Sequence, residues 1–457
     1  SEILLREKAH GILLQFGGQT AINLALPLSD NLSHLEKLGL NLVIEGTTPE
    51  AVDEASDRQR FEDFAERCQL DMPRGMTAID SEGVRKAVSS IGYPVLIRPS
   101  YVLGGRGMEI LSNDRQLEAY MGEAFLSPDR PLLIDEYLGN AIELDVDAVC
   151  DGEEVLIGAI MEHLEEAGIH SGDSTCFIPP QNISQGVLSK VEEWTTTIGI
   201  ELGIRGCYNI QFAIRDEELY VLEVNPRGSR TFPFVAKATG VPLARIAARV
   251  ALGEKLSSLD IPKPQTEAVS VKAPVFPFIK LRGLDPAPGP EMKSTGEVMG
   301  SHVRPAAAYL KARMATELPV PTSGGVYITV KDEDKSGTIE LAKRLQEMGF
   351  KIHATPGTAS ALREIGSLEV ETCYRIEERK SPDALDLMRR GMIQLVINTP
   401  TATGGAVLDG NMMRRLAVEL NIPFVTTMAG AKMEVEAIAE MQLGTPEPRL
   451  LDISTLE

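Results

Sequence analysis

The spacing of apolar and polar residues changes several times along the chain, and these changes predict where its helices and strands lie. Residues 1–4 are typical of a helix, and GILLQF at 11–16 is apolar on both faces, as in a buried parallel strand. A second such strand, NLVI, follows at 41–44. Two strands would leave open sheet edges. We therefore expect residues 1–47 to be the tail of a doubly wound α/β domain, and the chain to be a piece of a longer polypeptide.

A helical period begins after residue 47, with Thr47 or Thr48 as its N-cap, and runs to about residue 70. Apolar runs then predict a series of strands and two helices that together make an α+β domain over 48–253. The strands are expected at 94–100, 108–111, 131–138, 143–150, 154–161, 208–214 and 219–224, and the helices at 184–203 and 240–253.

Proline and glycine become frequent between residues 254 and 323, which predicts a connecting segment with one helix near 304–315. From residue 324 strands and helices alternate to the end of the chain. The strands are expected at 325–330, 351–355, 394–399 and 423–427. This rhythm predicts a separate small parallel-sheet domain over 324–457.

Composition excludes several classes of function. With 45 basic and 66 acidic residues the formal charge is −21, which argues against binding nucleic acid or an anionic membrane. The five cysteines have no CxxC spacing, so neither zinc nor a disulfide framework is indicated and a reducing cytoplasm is expected. No apolar run reaches the roughly 20 residues that span a bilayer.

The most informative stretch is LYVLEVNPRGSRTFPF at 219–234. Alternation along a strand puts Glu223 and Asn225 on one face. If 216–218 form a three-residue hairpin loop, Gln211 lies opposite Glu223 on the neighbouring strand. Three oxygen donors suit Mg²⁺ bound together with a nucleotide. The alternative is a solvated sheet edge that carries an ordinary charge pair.

Basic residues stand beside these donors and beside a glycine loop. Arg227 and Arg230 are suited to bind phosphate or carboxylate oxygens. In RPSYVLGGRGMEI, Gly104 and Gly105 permit backbone conformations that turn N–H groups towards an anion, and Arg98 precedes them. The alternative for this loop is an ordinary turn between two strands.

Four further segments are weaker candidates for a nucleotide site. IDEYL at 134–138 offers a strand end for adenine, with Glu143 for ribose hydroxyls, or it is a strand followed by a polar turn. The loop at 162–174 holds two histidines that could contact a phosphoryl group or simply lie at the surface. FGGQT at 16–20 and ATPGT at 354–358, the latter with Lys335, offer helix N-termini for anions, or N-caps alone.

Four stretches together resemble the carbamoyl phosphate synthetase large chain, in its C-terminal half. They are LIRPSYVLGGRGMEIL, IMEHLEEAGIHSGDS, LEVNPRGSRTFPFVAKATGVPLA and GPEMKSTGEVMG. The resemblance implies an ATP-grasp fold over 48–253 after a Rossmann-like tail, a segment at 254–323 that completes the synthetase half, and a methylglyoxal-synthase-like regulatory domain. The implied reaction is phosphorylation of carbamate by ATP, with two Mg²⁺ or Mn²⁺ ions and K⁺, in the pathways to pyrimidines and arginine.

The resemblance also implies roles for individual residues. It makes Arg230, Asn225, Arg227 and His170 catalytic, and Gln211, Glu223 and Asn225 the metal ligands. It assigns the nucleotide to Arg58, Arg98, Gly104, Gly105, Asp135, Glu136, Leu138, Glu143, Gly168, Ile169, His170 and Ser171, with Gln211 and Glu223.

A regulatory nucleotide monophosphate is implied for the last domain. Its ligands would be Lys335, Thr355, Thr358, Arg375 and Asn398, with arginine at 375 where relatives have lysine. The implied partners are a glutaminase small subunit, the half of the enzyme that delivers carbamate, and further copies in an oligomer. Two alternatives stay open: another ATP-grasp carboxylate–amine ligase, and a fragment that binds nucleotide without catalysis.

Overall fold

A computed structural model describes residues 2–99, 107–123, 131–265, 267–278, 285–316, 318–399 and 405–444. Within these ranges the chain divides into two compact units. The first comprises residues 2–172 and 177–267, and the second comprises residues 173–176 and 268–444. None of the helices in these ranges is long and apolar enough to cross a membrane.

Sixteen α-helices are assigned in the described part of the chain. In order they are α1 Glu2–Glu7, α2 Gly18–Ile22, α3 Ala25–Lys37, α4 Pro49–Ser56, α5 Arg58–Arg67, α6 Ser81–Ile91, α7 Asp114–Glu123, α8 Gln185–Glu201, α9 Phe232–Thr239, α10 Leu243–Ala251, α11 Pro305–Ala315, α12 Lys335–Glu347, α13 Pro356–Glu364, α14 Ala384–Arg389, α15 Gly405–Glu419 and α16 Met428–Gln442.

Eighteen strands accompany them in the same ranges. They are β1 Gly11–Leu13, β2 Val43–Glu45, β3 Gly75–Ala78, β4 Val95–Pro99, β5 Glu109–Leu111, β6 Leu132–Glu136, β7 Ile142–Asp151, β8 Val155–Glu166, β9 Cys176–Ile178, β10 Arg205–Arg215, β11 Glu218–Asn225, β12 Val269–Val275, β13 Gly296–His302, β14 Gly325–Thr329, β15 Lys351–Ala354, β16 Val370–Thr372, β17 Leu395–Asn398 and β18 Phe424–Val425.

The opening α/β segment is shorter and more exposed than the sequence suggests. β1 and β2 form a two-stranded parallel sheet, and Val43 is 54% exposed, so the expectation of strands buried on both faces is wrong. Ile12 and Ile44 pack against an apolar cluster on one face of this sheet, whereas Val43 alternates with Ile44 and projects from the other face. Thr48 caps α4 by accepting a hydrogen bond from the Ala51 N–H at 3.2 Å.

The single helix expected from residue 48 is two helices, α4 and α5. Asp57 interrupts them in an extended conformation, and its carboxylate accepts a hydrogen bond from the Arg60 N–H at 3.0 Å. A short acidic side chain favours this N-cap geometry over helix continuation. The break turns α5 so that Phe61 and Phe64 enter the main core of the first unit.

That core lies against one face of an antiparallel sheet with the order β11-β10-β7-β8. Leu144, Val146 and Ala148 alternate along β7 and are fully buried there. Trp194 of α8 and Phe212 of β10 pack in the same cluster. Because strand side chains alternate between faces, the residues between these apolar ones project from the other face of β7.

The first unit also contains a four-stranded sheet with the order β3-β6-β4-β5. β3, α6, α7 and α9 were not anticipated from the apolar pattern. β3 exposes two of its four residues, so it lacks the continuous apolar run that marks a buried strand. α9 directly follows the loop at 226–231, which carries Arg227 and Arg230, and has Pro233 in its first turn, a favoured place for proline.

The second unit combines a hairpin, a helix and a parallel sheet. β12 and β13 pair antiparallel inside the segment that the sequence describes only as a connection. The parallel sheet has five strands in the order β16-β15-β14-β17-β18, one more than predicted. The three-residue β16 was missed because two of its residues are exposed. α11 confirms the helix expected near 304–315.

Candidate functional site

The β10–β11 hairpin brings the three proposed metal ligands together. Its turn has two residues, Asp216 and Glu217, both with positive φ, as a type I′ turn requires. The three-residue loop expected from the sequence is therefore wrong. The register nevertheless shifts by one residue after Gln211, so Gln211 still pairs with Glu223. A bulge at this point restores the pairing that the shorter turn alone would have moved.

Polar residues from three strands share the face of the sheet that points away from the main core. Asp145 of β7 pairs with Gln211, Asp147 pairs with Asn209, and Asn209 pairs with Asn225. Directly paired residues of antiparallel strands project to the same face. The polar face is therefore built from Glu143, Asp145, Asp147, Asn209, Gln211, Glu223 and Asn225.

At the partly exposed end of this face lie Glu223, Asn225 and Arg227. The Asn225 amide donates to Glu223 Oε1 at 2.8 Å, which confirms that these two side chains share a face. Arg227 Nη2 donates to Asn225 Oδ1 at 3.1 Å. Glu223 offers a carboxylate, and Asn225 and Gln211 offer two amide oxygens. This donor set suits a hard cation whose coordination shell is completed by phosphate oxygens.

This donor set differs from an acid-rich metal centre. Over the described ranges, no group of three or more His, Cys, Asp and Glu side chains is arranged to hold a metal ion. The fit to Mg²⁺ therefore depends on amide oxygens and on the ligand itself.

A buried carboxylate supports the loop that carries the arginines. Asp147 Oδ1 accepts from Ser229 Oγ at 2.7 Å and from Asn209 Nδ2 at 2.9 Å. Asp147 Oδ2 accepts from Thr231 Oγ1 at 2.7 Å. Burial raises the pKa of Asp147 to about 6, while the hydrogen bonds from Ser229 and Thr231 lower it and the nearby Asp145 raises it.

The glycine turn at 16–20 meets the same loop within the first unit. The Gly228 N–H donates to the Gln15 carbonyl at 2.9 Å, and Arg227 Nε donates to Gln19 Oε1 at 2.9 Å. The turn, considered from its sequence only as an anion site, thus contacts one of the two proposed catalytic arginines. Arg230 lies exposed on the same loop.

A histidine joins two acids on the buried part of the polar face. His163 Nε2 lies 3.1 Å from Asp145 Oδ2, and its Nδ1 lies 3.4 Å from Glu143 Oε2. Glu143 Oε1 accepts from the Gly168 N–H at 2.9 Å. The proposed ribose ligand therefore also anchors the loop at 168–171.

Glycine is required at position 168 because φ is +91° and a Cβ there would stand 2.8 Å from the Tyr137 ring. The Tyr137 hydroxyl donates to the Ala167 carbonyl at 2.7 Å. In the same loop His170 Nδ1 accepts from the Gly172 N–H at 3.0 Å. Ile169 and Ser171 are half-buried beside it. The predicted nucleotide-lining residues of this loop are thus contiguous and held by Glu143 and Tyr137.

Two predicted phosphate-binding arginines converge on one carboxylate. Asp135 Oδ1 lies 2.9 Å from Arg58 Nη2, and Asp135 Oδ2 lies 3.4 Å from Arg98 Nε. Arg58 Nε also donates to Glu62 at 2.6 Å. Asp135 thus pairs with the arginines, although the resemblance places it at adenine. Gly104 and Gly105 lie outside the described residues.

Glu136 and Leu138 differ in what they present. The Glu136 carboxylate binds Arg74 at 2.9 Å and Arg215 at 3.2 Å. Arg74, followed by Arg215, holds the pKa of Glu136 below its usual range despite partial burial. Leu138 is buried in an apolar cluster with Ala167 and Ala213. The side chain of Glu136 is therefore engaged in ion pairs.

In the second unit, a cavity of about 220 Å³ lies at the carboxyl ends of β14, β15 and β17. The strand order reverses around β14, and such reversals open a crevice in parallel sheets. All five residues proposed for the effector line this cavity: Lys335, Thr355, Thr358, Arg375 and Asn398.

Carboxylates neutralise the cations of this cavity. Lys335 Nζ is 2.6 Å from Asp332 Oδ1, and Arg375 Nη1 is 3.4 Å from Glu377 Oε1. Thr355, not Thr358, occupies the N-cap position of α13, and its hydroxyl donates to that of Thr358 at 3.3 Å. An anionic ligand would replace the carboxylates as the partner of both cations.

Sequence reasoning missed the buried acids beneath the first site and the acidic lining of the second. The alternation in ELDVDA at 143–148 marks Asp145 and Asp147 as facing the same way as Glu143. That signal was available. Asp332, Glu377 and Asp409 reach the cavity of the second unit from three separate segments, which no local pattern could indicate.

Comparison with known families matches both units. Residues 57–259 match the family described as carbamoyl-phosphate synthase L chain, ATP binding domain. Residues 337–426 match the MGS-like domain family.

Among curated proteins, the chain is 47% identical over 452 residues to a carbamoyl phosphate synthase large chain of Methanothrix thermoacetophila, covering 98% of this chain and 42% of that protein. It is 46% identical over 446 residues to the carbamoyl phosphate synthase large chain, C-terminal section, of Methanocaldococcus jannaschii, covering 95% and 70%. The chain thus spans about two fifths of the full-length large chains it matches.

Two solved structures share the fold at low identity. The biotin carboxylase domain of Hydrogenobacter thermophilus 2-oxoglutarate carboxylase, solved with MgADP, ADP and bicarbonate, aligns with a TM-score of 0.53 at 19% identity, over 69% of this chain and 75% of that one. N5-carboxyaminoimidazole ribonucleotide synthetase of Thermus thermophilus aligns with a TM-score of 0.50 at 17% identity, over 69% and 84%. These likenesses concern the fold alone, and they confirm the expected ATP-grasp class.

Proposed function

Since the chain belongs to the carbamoyl phosphate synthase large-chain family, we propose that its first unit transfers the γ-phosphoryl group of ATP to carbamate and releases carbamoyl phosphate and ADP. Membership of this family supports the reaction class, which is ATP-dependent phosphorylation of a carboxyl group. Carbamate as the acceptor is the finer part of the proposal. The observation that carries the proposal is the convergence of Gln211, Glu223 and Asn225, with Arg227 bonded to Asn225, at one end of a polar sheet face.

In the proposed step a carbamate oxygen forms a bond to the γ-phosphorus while the bond to the β,γ-bridging oxygen breaks. Such a transfer needs positioned charge more than an activated nucleophile. Arg227 and Arg230 would neutralise oxygens of the acceptor and of the transferred group. His170, in the loop at 168–171, would contact the phosphoryl group. Mg²⁺ held by Gln211, Glu223 and Asn225 would supply further neutralisation of phosphate charge.

The nucleotide would lie between the two arginines on Asp135 and the loop that Glu143 holds. Arg58 and Arg98 would exchange their partner Asp135 for phosphate oxygens, with Gly104 and Gly105 as further proposed contacts. Glu143 would accept ribose hydroxyls, while Glu136, Leu138 and the loop at 168–171 would line the base and the sugar. Mn²⁺ in place of Mg²⁺, and K⁺ near Ser171, are parts of the same proposal.

For the second unit we propose regulation by a nucleotide monophosphate bound in the 220 Å³ cavity. Its phosphate would displace Asp332 from Lys335 and Glu377 from Arg375. The remaining proposals follow from the family: a glutaminase small subunit, carbamate from the rest of the large chain, an oligomeric assembly, and supply of pyrimidine and arginine synthesis.

The reverse reaction tests the catalytic proposal directly. The chain is incubated with Mg²⁺, ADP and carbamoyl phosphate, and ATP is measured by a coupled luminescence assay. Formation of ATP that depends on carbamoyl phosphate supports the proposal. If acetyl phosphate serves and carbamoyl phosphate does not, another carboxylate–amine ligase is favoured. If ADP binds but no acyl phosphate yields ATP, the chain is a nucleotide-binding fragment.

A further inference from the structure

The loop at 226–231, which carries the two proposed catalytic arginines, is attached to the first unit through contacts that include the following three. Gly228 donates from its backbone to Gln15, and Arg227 donates from its side chain to Gln19. The third attachment is different in kind, because it is a carboxylate with no solvent exposure. One carboxylate oxygen of Asp147 accepts a hydrogen bond from Ser229, and the other accepts one from Thr231.

The geometry of this third attachment is strict. A carboxylate accepts without donating, so each hydroxyl must direct its hydrogen at Asp147. Asn209 donates to the same oxygen as Ser229 and pairs with Asn225 in the sheet. Ser229 Oγ also accepts from the Phe232 N–H at 3.1 Å, where α9 begins. Asp147 therefore joins β10, which carries Gln211 and pairs with the strand of Glu223 and Asn225, to the loop that carries the arginines.

We propose that Asp147 is a positioning residue for phosphoryl transfer: through Ser229 and Thr231 it sets where the Arg227 and Arg230 guanidiniums stand relative to Glu223 and Asn225. This inference rests on the proposed function. Asp147 contacts neither nucleotide nor acceptor in it. Its effect is to hold the charged groups still while the acceptor oxygen approaches phosphorus, and displacements of about 1 Å can reduce rates by roughly 100-fold.

The test compares two aspartates on one strand. Asp147→Asn keeps the size of the side chain but replaces one acceptor with a donor. Asp151→Asn is the matched control, because Asp151 ends the same strand, is also buried, and accepts from the backbone of Glu153, Glu154 and Leu256. Both variants and the wild-type chain are assayed for kcat and KM in ATP synthesis from ADP and carbamoyl phosphate, and for ADP and carbamoyl phosphate affinity by calorimetry.

Asp147→Asn is expected to lower kcat roughly 10- to 100-fold, to raise the KM for carbamoyl phosphate, and to leave the Kd for ADP unchanged. The double variant Ser229→Ala/Thr231→Val removes both hydroxyls and should reproduce this defect. Adding Asp147→Asn to the double variant should lower kcat no further, because the two changes break the same interaction. Should Asp147→Asn not fold, the double variant alone decides by the same readouts.

Equal losses of kcat in Asp147→Asn and Asp151→Asn, or an unimpaired double variant, would overturn the positioning role while leaving the proposed function intact. If the wild-type chain binds carbamoyl phosphate without making ATP, calorimetry decides. Weaker binding of carbamoyl phosphate by Asp147→Asn would then support the positioning role, and unchanged binding would contradict it. A wild-type chain with neither turnover nor binding contradicts the proposed function and this inference together.

Discussion

The polar face of the first unit and the cavity of the second place their buried charge differently. Beneath the first site lie Asp145, Asp147 and His163, all buried and bonded to residues of the site or its loop. In the second unit one buried ion pair joins Arg313 of α11 to Glu434 of α16 at 3.0 Å, and neither residue lines the cavity. The buried Arg414 pairs with the half-buried Asp285 and donates to Asn398 of the cavity lining.

This difference suggests different demands on the two sites. Phosphoryl transfer needs charged groups fixed before reaction, and buried carboxylates provide fixed acceptors. An effector cavity needs cations that a ligand can bind. An ion pair with a solvent-exposed acid such as Asp332, whose side chain is 92% exposed, contributes little free energy, so a ligand can replace the acid. The following experiments test whether the buried acids of the polar face serve chemistry in the first unit and whether the Arg313–Glu434 pair serves architecture in the second.

The largest effect is expected from Glu434→Gln. Glu434 is fully buried and accepts from Arg313 at 3.0 Å and from Tyr309 at 2.9 Å, so its loss leaves a buried guanidinium uncompensated and costs about 3–5 kcal/mol. Hydrogen exchange of α11 and α16 measures this loss. Glu436→Gln, on the same helix with a partly exposed Arg344 pair, is the control and should cost at most about 1 kcal/mol. Similar exchange rates in both variants would contradict an architectural role.

Glu223→Ala should nearly abolish ATP synthesis from ADP and carbamoyl phosphate. Loss of the single carboxylate among the proposed metal donors is expected to lower kcat roughly 100- to 1,000-fold. Glu218→Ala removes the same residue type from the exposed start of the same strand and should be silent. Unchanged turnover in Glu223→Ala would reject the metal assignment.

Lys335→Ala should weaken binding of a nucleotide monophosphate, measured by calorimetry with UMP and IMP. A charge-assisted contact to phosphate contributes about 1.5–3 kcal/mol, so the Kd should rise roughly 10- to 100-fold. Lys343→Ala, at an exposed position of the same helix, controls for a change in net charge. Equal affinities for both variants would show that the phosphate lies elsewhere.

The smallest effect concerns pH and Asp147. Because burial raises the folded-state pKa of Asp147 to about 6, the unfolded chain ionises this carboxyl at lower pH than the folded protein does. Its contribution to stability is fully present below about pH 4 and is lost as the pH rises through 6. The free energy of unfolding of wild type relative to Asp147→Asn should therefore increase by about 1 kcal/mol from pH 7 to pH 5. Denaturant titrations at both pH values measure it, and a difference that does not vary with pH would reject the raised pKa.

Prediction from sequence succeeded where one periodic run or one motif determines an outcome. The strands at β7, β8, β10 and β11, the helix α11 and the shared face of Glu223 and Asn225 follow from alternation and helical spacing. The pairing of Gln211 with Glu223 was predicted correctly on a wrong turn length, since the bulge compensates for the missing loop residue. Short elements such as β3 and β16 were missed because three or four half-exposed residues carry no period.

By itself, the sequence determined the fold class and the family, and it placed the proposed metal donors Glu223 and Asn225 on one face, because alternate residues of a strand project to the same side. Tertiary structure alone decided what lies beneath and beside them. Asp147 meets Ser229 and Thr231 across more than 80 residues, and Gln19 meets Arg227 across 208. Such contacts depend on which strands pair and in which register, and that is settled by burial of the opposite, apolar face of the sheet.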